Sequence, residues 1–176
     1  PADNAAVTAL LPQVHLDILL QDGAQHVLLN GEDVSDAIRQ EQVGMAASAV
    51  GANPAVRAFL LDTQRQLAKS RSVLMDGRDI GTVVLPDATV KIFLTASPEA
   101  RAARRYAELV AKGQPADYDT VLADIRRRDD QDTHRAAAPL RRAEDAVLVD
   151  TSDLDIEQSF AALKQVILDR AAGKQG

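Results

Sequence analysis

Apolar positions recur along the chain with periods that change three times, and each change predicts a different element. Ala5 to Leu11 carries a short helical pattern that Pro12 closes. HLDILL (15–20) and QHVLLNGEDV (25–34) are rich in Val, Ile and Leu and flank Asp22-Gly23, a turn pair that predicts a β-hairpin. Ser35 then reads as the N-cap of a helix through Ile38, Val43, Ala46 and Ala47. Asn53-Pro54 interrupts it, and a second helix is predicted from Pro54 to about Lys69, with Val56, Phe59, Leu60 and Leu67 on its apolar side.

Beyond residue 70 the pattern shifts to short apolar runs between long helical stretches. Val73–Met75, VKIFLTA (90–96) and AVLVDTS (146–152) read as buried strands. Ser97-Pro98-Glu99 opens a helix that Gly113 ends, Tyr118 to about Arg135 forms the next, and Asp155 with Gln158 is a capping box for the last. Strands alternating with helices predict an α/β fold, a parallel sheet with helices on both faces. The hairpin and helix pair of residues 15–69 break that alternation and read as an inserted subdomain. Residues 70–172 form the core domain, with a lid around 104–135, and residues 1–14 are a remnant of a preceding core helix region.

One helix stripe changes character without changing direction. Val121, Ile125, Arg128, Asp132 and Arg135 are spaced four, three, four and three apart, which places them along one side. The stripe starts apolar, facing a core, and runs out into Arg, Asp, Arg, as it would over a cleft that holds a charged ligand. The alternative is a helix end extending past the core with its charges paired to one another.

Composition narrows the choices. The chain has 176 residues, 46% hydrophobic and 26% charged, a globular balance. Its aromatics are only 3%, so Ala, Val, Leu and Ile must fill the core. A formal charge of -6 argues against a general nucleic-acid binder. Without cysteine there is no disulfide and no thiolate metal site, and His15, His26 and His134 lack any zinc-ligand spacing, so no metal site is expected. No apolar run reaches the roughly 18 residues of a membrane span. The expectation is a soluble, cytoplasmic, monomeric protein that engages neither membrane nor nucleic acid.

Ligands of open parallel sheets bind beyond the carboxyl ends of the strands. Acids stand there in this sequence: Asp76 and Asp79 after VLM, and Asp150 after VLV. In DGRDIG (76–81), Gly77 and Gly81 allow tight turns, while Arg78 and Asp79 project a phosphate-binding fork and a pair of acceptors. An Arg–Asp pair stapling the loop is the plainer alternative. Together with the stripe, Arg78, Arg128 and Arg135 interleaved with Asp79 and Asp132 suit a small ligand with both phosphate and hydroxyls, such as a nucleotide.

MDGRDIGTVVLPDATVKIFLTAS, RRRDDQDTHRAAAPL, NGEDVSDAIR and AEDAVLVDTSDLDIEQ resemble the bacterial cytidylate kinases, in order and at that family's spacing, over roughly residues 10–170. The resemblance implies a P-loop nucleoside monophosphate kinase fold and transfer of the γ-phosphoryl of ATP to CMP or dCMP with Mg²⁺. It makes residues 15–69 the enlarged monophosphate-binding insert. It assigns Ser48, Arg57 and Asp79 to the cytosine base, Arg78 and Arg135 to the CMP phosphate, Arg128 and Asp132 to the sugar hydroxyls, and Arg104 to the ATP adenine in the lid. For Ser48, taken without the resemblance, a small residue in a helix contact is the simpler reading. Asp79 has a chemical reason, since a carboxylate accepts from the cytosine amino group.

The sequence departs from the family at one place. No G-x-x-x-x-G-K-[ST] loop occurs: Gly173-Lys174 is followed by Gln175, and Leu168 stands where the first glycine belongs. The expectation is a chain that has lost an N-terminal strand, P-loop and helices, and is inactive alone. Two other readings are a catalytically dead CMP-binding module and another small-molecule kinase of the same fold, for example a shikimate-like one. Three groups matched to a pyrimidine edge have no use in the latter.

Overall fold

The computed structural model describes residues 3–51, 53–134 and 138–173, with backbone only for residues 41, 45, 48 and 49. The chain divides into two compact units, Pro1–Val73 and Leu74–Gly176.

The first unit opens with α1 (Asn4–Leu10), capped by the Asp3 carboxylate on the amides of Ala5 and Ala6. A 3₁₀ turn, Leu11–Gln13, carries the predicted stop at Pro12. The hairpin follows as β1 (Leu16–Gln21) and β2 (Ala24–Leu29), antiparallel in the register Leu16↔Leu29 to Gln21↔Ala24. Asp22 and Gly23 both have positive φ, 53° and 75°, the geometry that twists a two-residue turn in step with its strands. Asn30 and Gly31 repeat it at 51° and 88° and add a short β3 (Glu32–Asp33). Then come α2 (Glu41–Val50) and α3 (Pro54–Ser70). Asn53 caps α3 through Ala55 N–H, and its amide reaches back to Asn4 O and Thr8 Oγ1, so this buried side chain joins α1 to α3.

The predicted Ser35 cap is not formed. The Ser35 hydroxyl accepts from Val27 N–H at 2.9 Å and donates to Asp33, so it is tied to the hairpin. The single helix expected from Ser35 is instead a 3₁₀ turn, Ala37–Arg39, and a separate α2, because Gln40 is extended at φ -70°, ψ 141°.

The second unit is built on two parallel strands, β4 (Ile92–Thr95) and β5 (Val147–Asp150), paired Ile92↔Val147 to Thr95↔Asp150. Helices α4 (Pro98–Ala111) and α5 (Tyr118–His134) connect them, and α6 (Ile156–Ala171) follows β5. This β–α–α–β–α order is the α/β class expected, with a parallel pair of strands and helices among the described residues. Among the described residues its buried positions are Val84, Ala96, Ala102, Ala146, Val149 and Thr151, mostly small, as the scarcity of aromatics requires. Ser97 caps α4 ahead of Pro98, Gly113 takes φ 69° beyond its end, and the Asp155–Gln158 box closes reciprocally on α6. No helix among the described residues is long and apolar enough to cross a membrane.

The strand expected at Val73–Met75 is absent. The segment is irregular and Leu74 is 92% exposed. A strand exists only through a ladder partner. The parallel pair that the described residues form is β4 with β5 alone, and no ladder includes this apolar run.

Candidate functional site

The DGRDIG loop leads into one π-type turn, Ile80–Val84, and the backbone of Asp79 anchors it. The Asp79 carbonyl accepts from the amides of Thr82, Val83 and Val84 at 3.3, 2.8 and 3.2 Å. Three donors on one carbonyl hold the residue that carries the candidate base-reading carboxylate. π-turns occur disproportionately at functional positions because they redirect side chains out of helical register. Gly77 is required for closeness: a Cβ there would stand 2.9 Å from Ile80 Cγ1. Gly81 lies inside the tight π-turn, as expected, without positive φ, and a Cβ there would stand 3.4 Å from Lys91 Cδ.

Arg78 and Asp132 are brought together from 54 residues apart, Arg78 Nε donating to Asp132 Oδ2 at 2.6 Å. The carboxylate is the more enclosed partner, with 26% of its side chain exposed against 54% for the arginine. The DGRD loop and the α5 stripe therefore meet in space. Along that stripe Val121 and Ile125 are half-buried and Arg128 is exposed one turn before Asp132. The helix continues to His134, and the predicted Arg135 lies outside the described residues. Leu140 N–H returns to Asp132 O at 2.8 Å, tying the chain beyond α5 back to the same residue.

In the first unit Arg57 sits in the opening turn of α3, half-buried, its amide bonded to Asn53 O. Ser48 lies on α2, and its side chain is outside the described atoms. A cavity of about 320 Å³ in this unit, lined by His15, Leu16, Phe59, Asp62 and Gln66 among others, contains neither residue. Its walls lack any cluster of charged donors suited to a phosphate, and the chemistry points to the loop and stripe instead.

Several charged residues that sequence reasoning passed over organise α5. Arg101 on α4 grips Asp129 with both terminal nitrogens, at 2.8 and 2.5 Å, and gives its Nε to Ala96 O at 3.0 Å. Arg126 pairs with Glu99 at 2.6 Å. The hydrogen bonds from Arg101 hold the Asp129 carboxyl below the usual carboxylate range, with the fields of Arg101 and Arg78 adding to them. Arg104, expected near an adenine, donates to the carbonyls of Thr151 and Leu154 in the loop after β5. Asp150, at the end of β5, accepts from the amide and hydroxyl of Ser152, which lowers its pKa. No local pattern signals the interhelical pairs, because each depends on how α4 packs on α5.

The profile of the family described as "Cytidylate kinase" matches residues 1–168. The chain belongs to the cytidylate kinase family. Among curated relatives it is similar to a protein named cytidylate kinase from Mycobacterium leprae, 52% identical over 97% of this chain and 75% of that protein. Another, from Rhodococcus jostii, is 50% identical over 99% of this chain and 76% of the relative. A third, from Syntrophotalea carbinolica, is 45% identical over 96% and 72% respectively. Cytidylate kinases are nucleoside monophosphate kinases, a class of phosphotransferases.

Proposed function

We propose that this chain forms the acceptor side of a cytidylate kinase, receiving the γ-phosphoryl group of ATP on CMP or dCMP. The observation that carries the reading is the convergence of Arg78 and Asp132, with Asp79 beside the one and Arg128 a turn from the other. A monophosphate needs fixed guanidinium donors, sugar hydroxyls need a carboxylate acceptor, and the cytosine amino group needs another. In this reading Asp79, Arg57 and Ser48 read the base, Arg78 and Arg135 hold the phosphate, and Arg128 and Asp132 hold the ribose. The Arg78–Asp132 pair is then a resting contact that the ligand divides, each partner exchanging the other for a nucleotide group. Residues 15–69, with β1–β3, α2 and α3, serve as the monophosphate-binding insert.

On the donor side, Arg104 belongs beside the adenine, next to the loop of Thr151 to Leu154 that it already holds. Mg²⁺ binds preferentially through phosphate oxygens and a few waters. Among the described residues no three His, Cys, Asp or Glu gather as a group that could hold a metal ion.

Titration calorimetry with CMP, dCMP and UMP tests the reading. CMP binding that exceeds UMP binding by about tenfold, the scale of one charged hydrogen bond, is the expected result. Equal affinity for the two would remove the base assignment.

A further inference from the structure

Two carboxylates stand one turn apart on α5, and two arginines from outside the helix serve them. Asp132 receives Arg78 at 2.6 Å, and Asp129 receives both arms of Arg101. The arrangement is not two isolated pairs, because Asp129 and Asp132 stand three residues apart on the same side of one helix. Arg101 is itself fixed at a third point, its Nε on the Ala96 carbonyl just beyond β4. Its guanidinium thus ties a strand end to α5 at the position preceding the ligand-facing turn.

We propose that Arg101 is a positioning residue for the phosphate end of the nucleotide: by occupying both oxygens of Asp129 it keeps that carboxylate from capturing Arg78. This inference rests on the assignment of Arg78 to the CMP phosphate. Without Arg101, Asp129 becomes an unbalanced carboxylate one turn from the Asp132 that holds Arg78. The arginine is then shared between Asp129 and Asp132, and a phosphate approaching it meets a second negative charge. Arg101 touches no part of the nucleotide in this scheme. Its effect passes entirely through Asp129 and Arg78.

The test uses CMP and cytidine, which differ only in the phosphate, on the 176-residue chain. Arg101→Met keeps the apolar stem and removes the guanidinium. CMP affinity is expected to fall by roughly tenfold or more, the scale of one charge-assisted contact, while cytidine affinity is unchanged. Adding Asp129→Asn to Arg101→Met removes the competing charge and is expected to restore CMP binding to the level of Asp129→Asn alone. A plain helix clamp predicts the opposite: equal loss for CMP and cytidine with no restoration in the double variant, which would overturn the inference. CMP binding unchanged in Arg101→Met would also overturn it, leaving the Arg78 assignment intact. A wild-type chain that binds CMP no better than cytidine overturns the phosphate assignment and this inference together.

Discussion

At the scale of single residues, Asp79 and Asp33 show two uses of a carboxylate. Asp79 is held by its own carbonyl in the π-turn, where three amides donate to it. UMP offers an acceptor where CMP offers an amino group, so a carboxylate discriminates and an amide does so less. Asp79→Asn is expected to weaken CMP by roughly 1.5–3 kcal/mol and to narrow its advantage over UMP, measured by competition calorimetry. Undiminished discrimination would take Asp79 out of the base site. Asp33 is a structural case: the hydroxyl and amide of Ser35, then His26, draw its pKa from 3.8 down to about 2. A folded value below the unfolded one means that the stabilisation is complete above the ordinary pKa and is lost as pH falls through about 2. NMR titration of the carboxyl between about pH 5 and pH 1 should show that low midpoint, and Ser35→Ala should raise it. An identical midpoint in both proteins would refute the assignment.

At the scale of elements, the helices of the second unit are closed by local chemistry, α5 by Asp117 on Thr120 N–H at 2.8 Å, and α5 is held by distant partners as well. Helix α6 is closed by its capping box, where Asp155 accepts from Gln158 N–H at 2.8 Å and Gln158 Oε1 accepts from Asp155 N–H at 3.0 Å. Asp155→Ala is expected to cost about 1 kcal/mol in urea denaturation, the usual value of an N-cap, with nucleotide binding unaltered. Helix α5 is in addition positioned by ion pairs across elements: Arg78 with Asp132, Arg101 with Asp129, and Arg126 with Glu99. Partly exposed ion pairs of this kind contribute only about 0–1 kcal/mol, so Asp132→Ala should lower the melting temperature little. Its effect on CMP should be much larger, more than about tenfold in affinity, if the carboxylate holds the ribose. Parallel melting and calorimetry of that variant separate the two, and a loss of stability alone would make the stripe a self-paired surface.

At the scale of the whole molecule, phosphoryl transfer depends on a cradle of backbone amides and a lysine around the donor phosphates. The 176 residues contain no G-x-x-x-x-G-K-[ST] segment. Positioning and charge neutralisation supply nearly all of the catalysis in this chemistry, so without such a cradle turnover is expected to be lost and not merely slowed. The 176-residue chain is therefore expected to bind CMP without phosphorylating it. ADP release with ATP, CMP and Mg²⁺ measures this, with the full-length Mycobacterium leprae relative as reference. Robust turnover by the shorter chain would mean that another segment holds the donor.

What the sequence determined by itself is what short-range physics decides. Asp22-Gly23 specifies a turn whose positive φ values few other pairs tolerate, Asn53-Pro54 both stops one helix and caps the next, and Asp155 with Gln158 closes its box within four residues. The alternation of strands and helices after residue 70, and the linked motifs of the cytidylate kinase family, were legible for the same reason. Tertiary structure decided the rest. Val73–Met75 has the residues of a strand but no ladder, because strand identity belongs to the neighbour as much as to the segment. Ser35 has the residue type of a cap, yet the hairpin claims its hydroxyl. Arg78 and Asp132 were each candidates for a ligand from their residue types, but their direct contact across 54 residues was not legible. The grip of Arg101 on Asp129, 28 residues on, left no trace in the sequence pattern, since it is created only when α4 lies against α5.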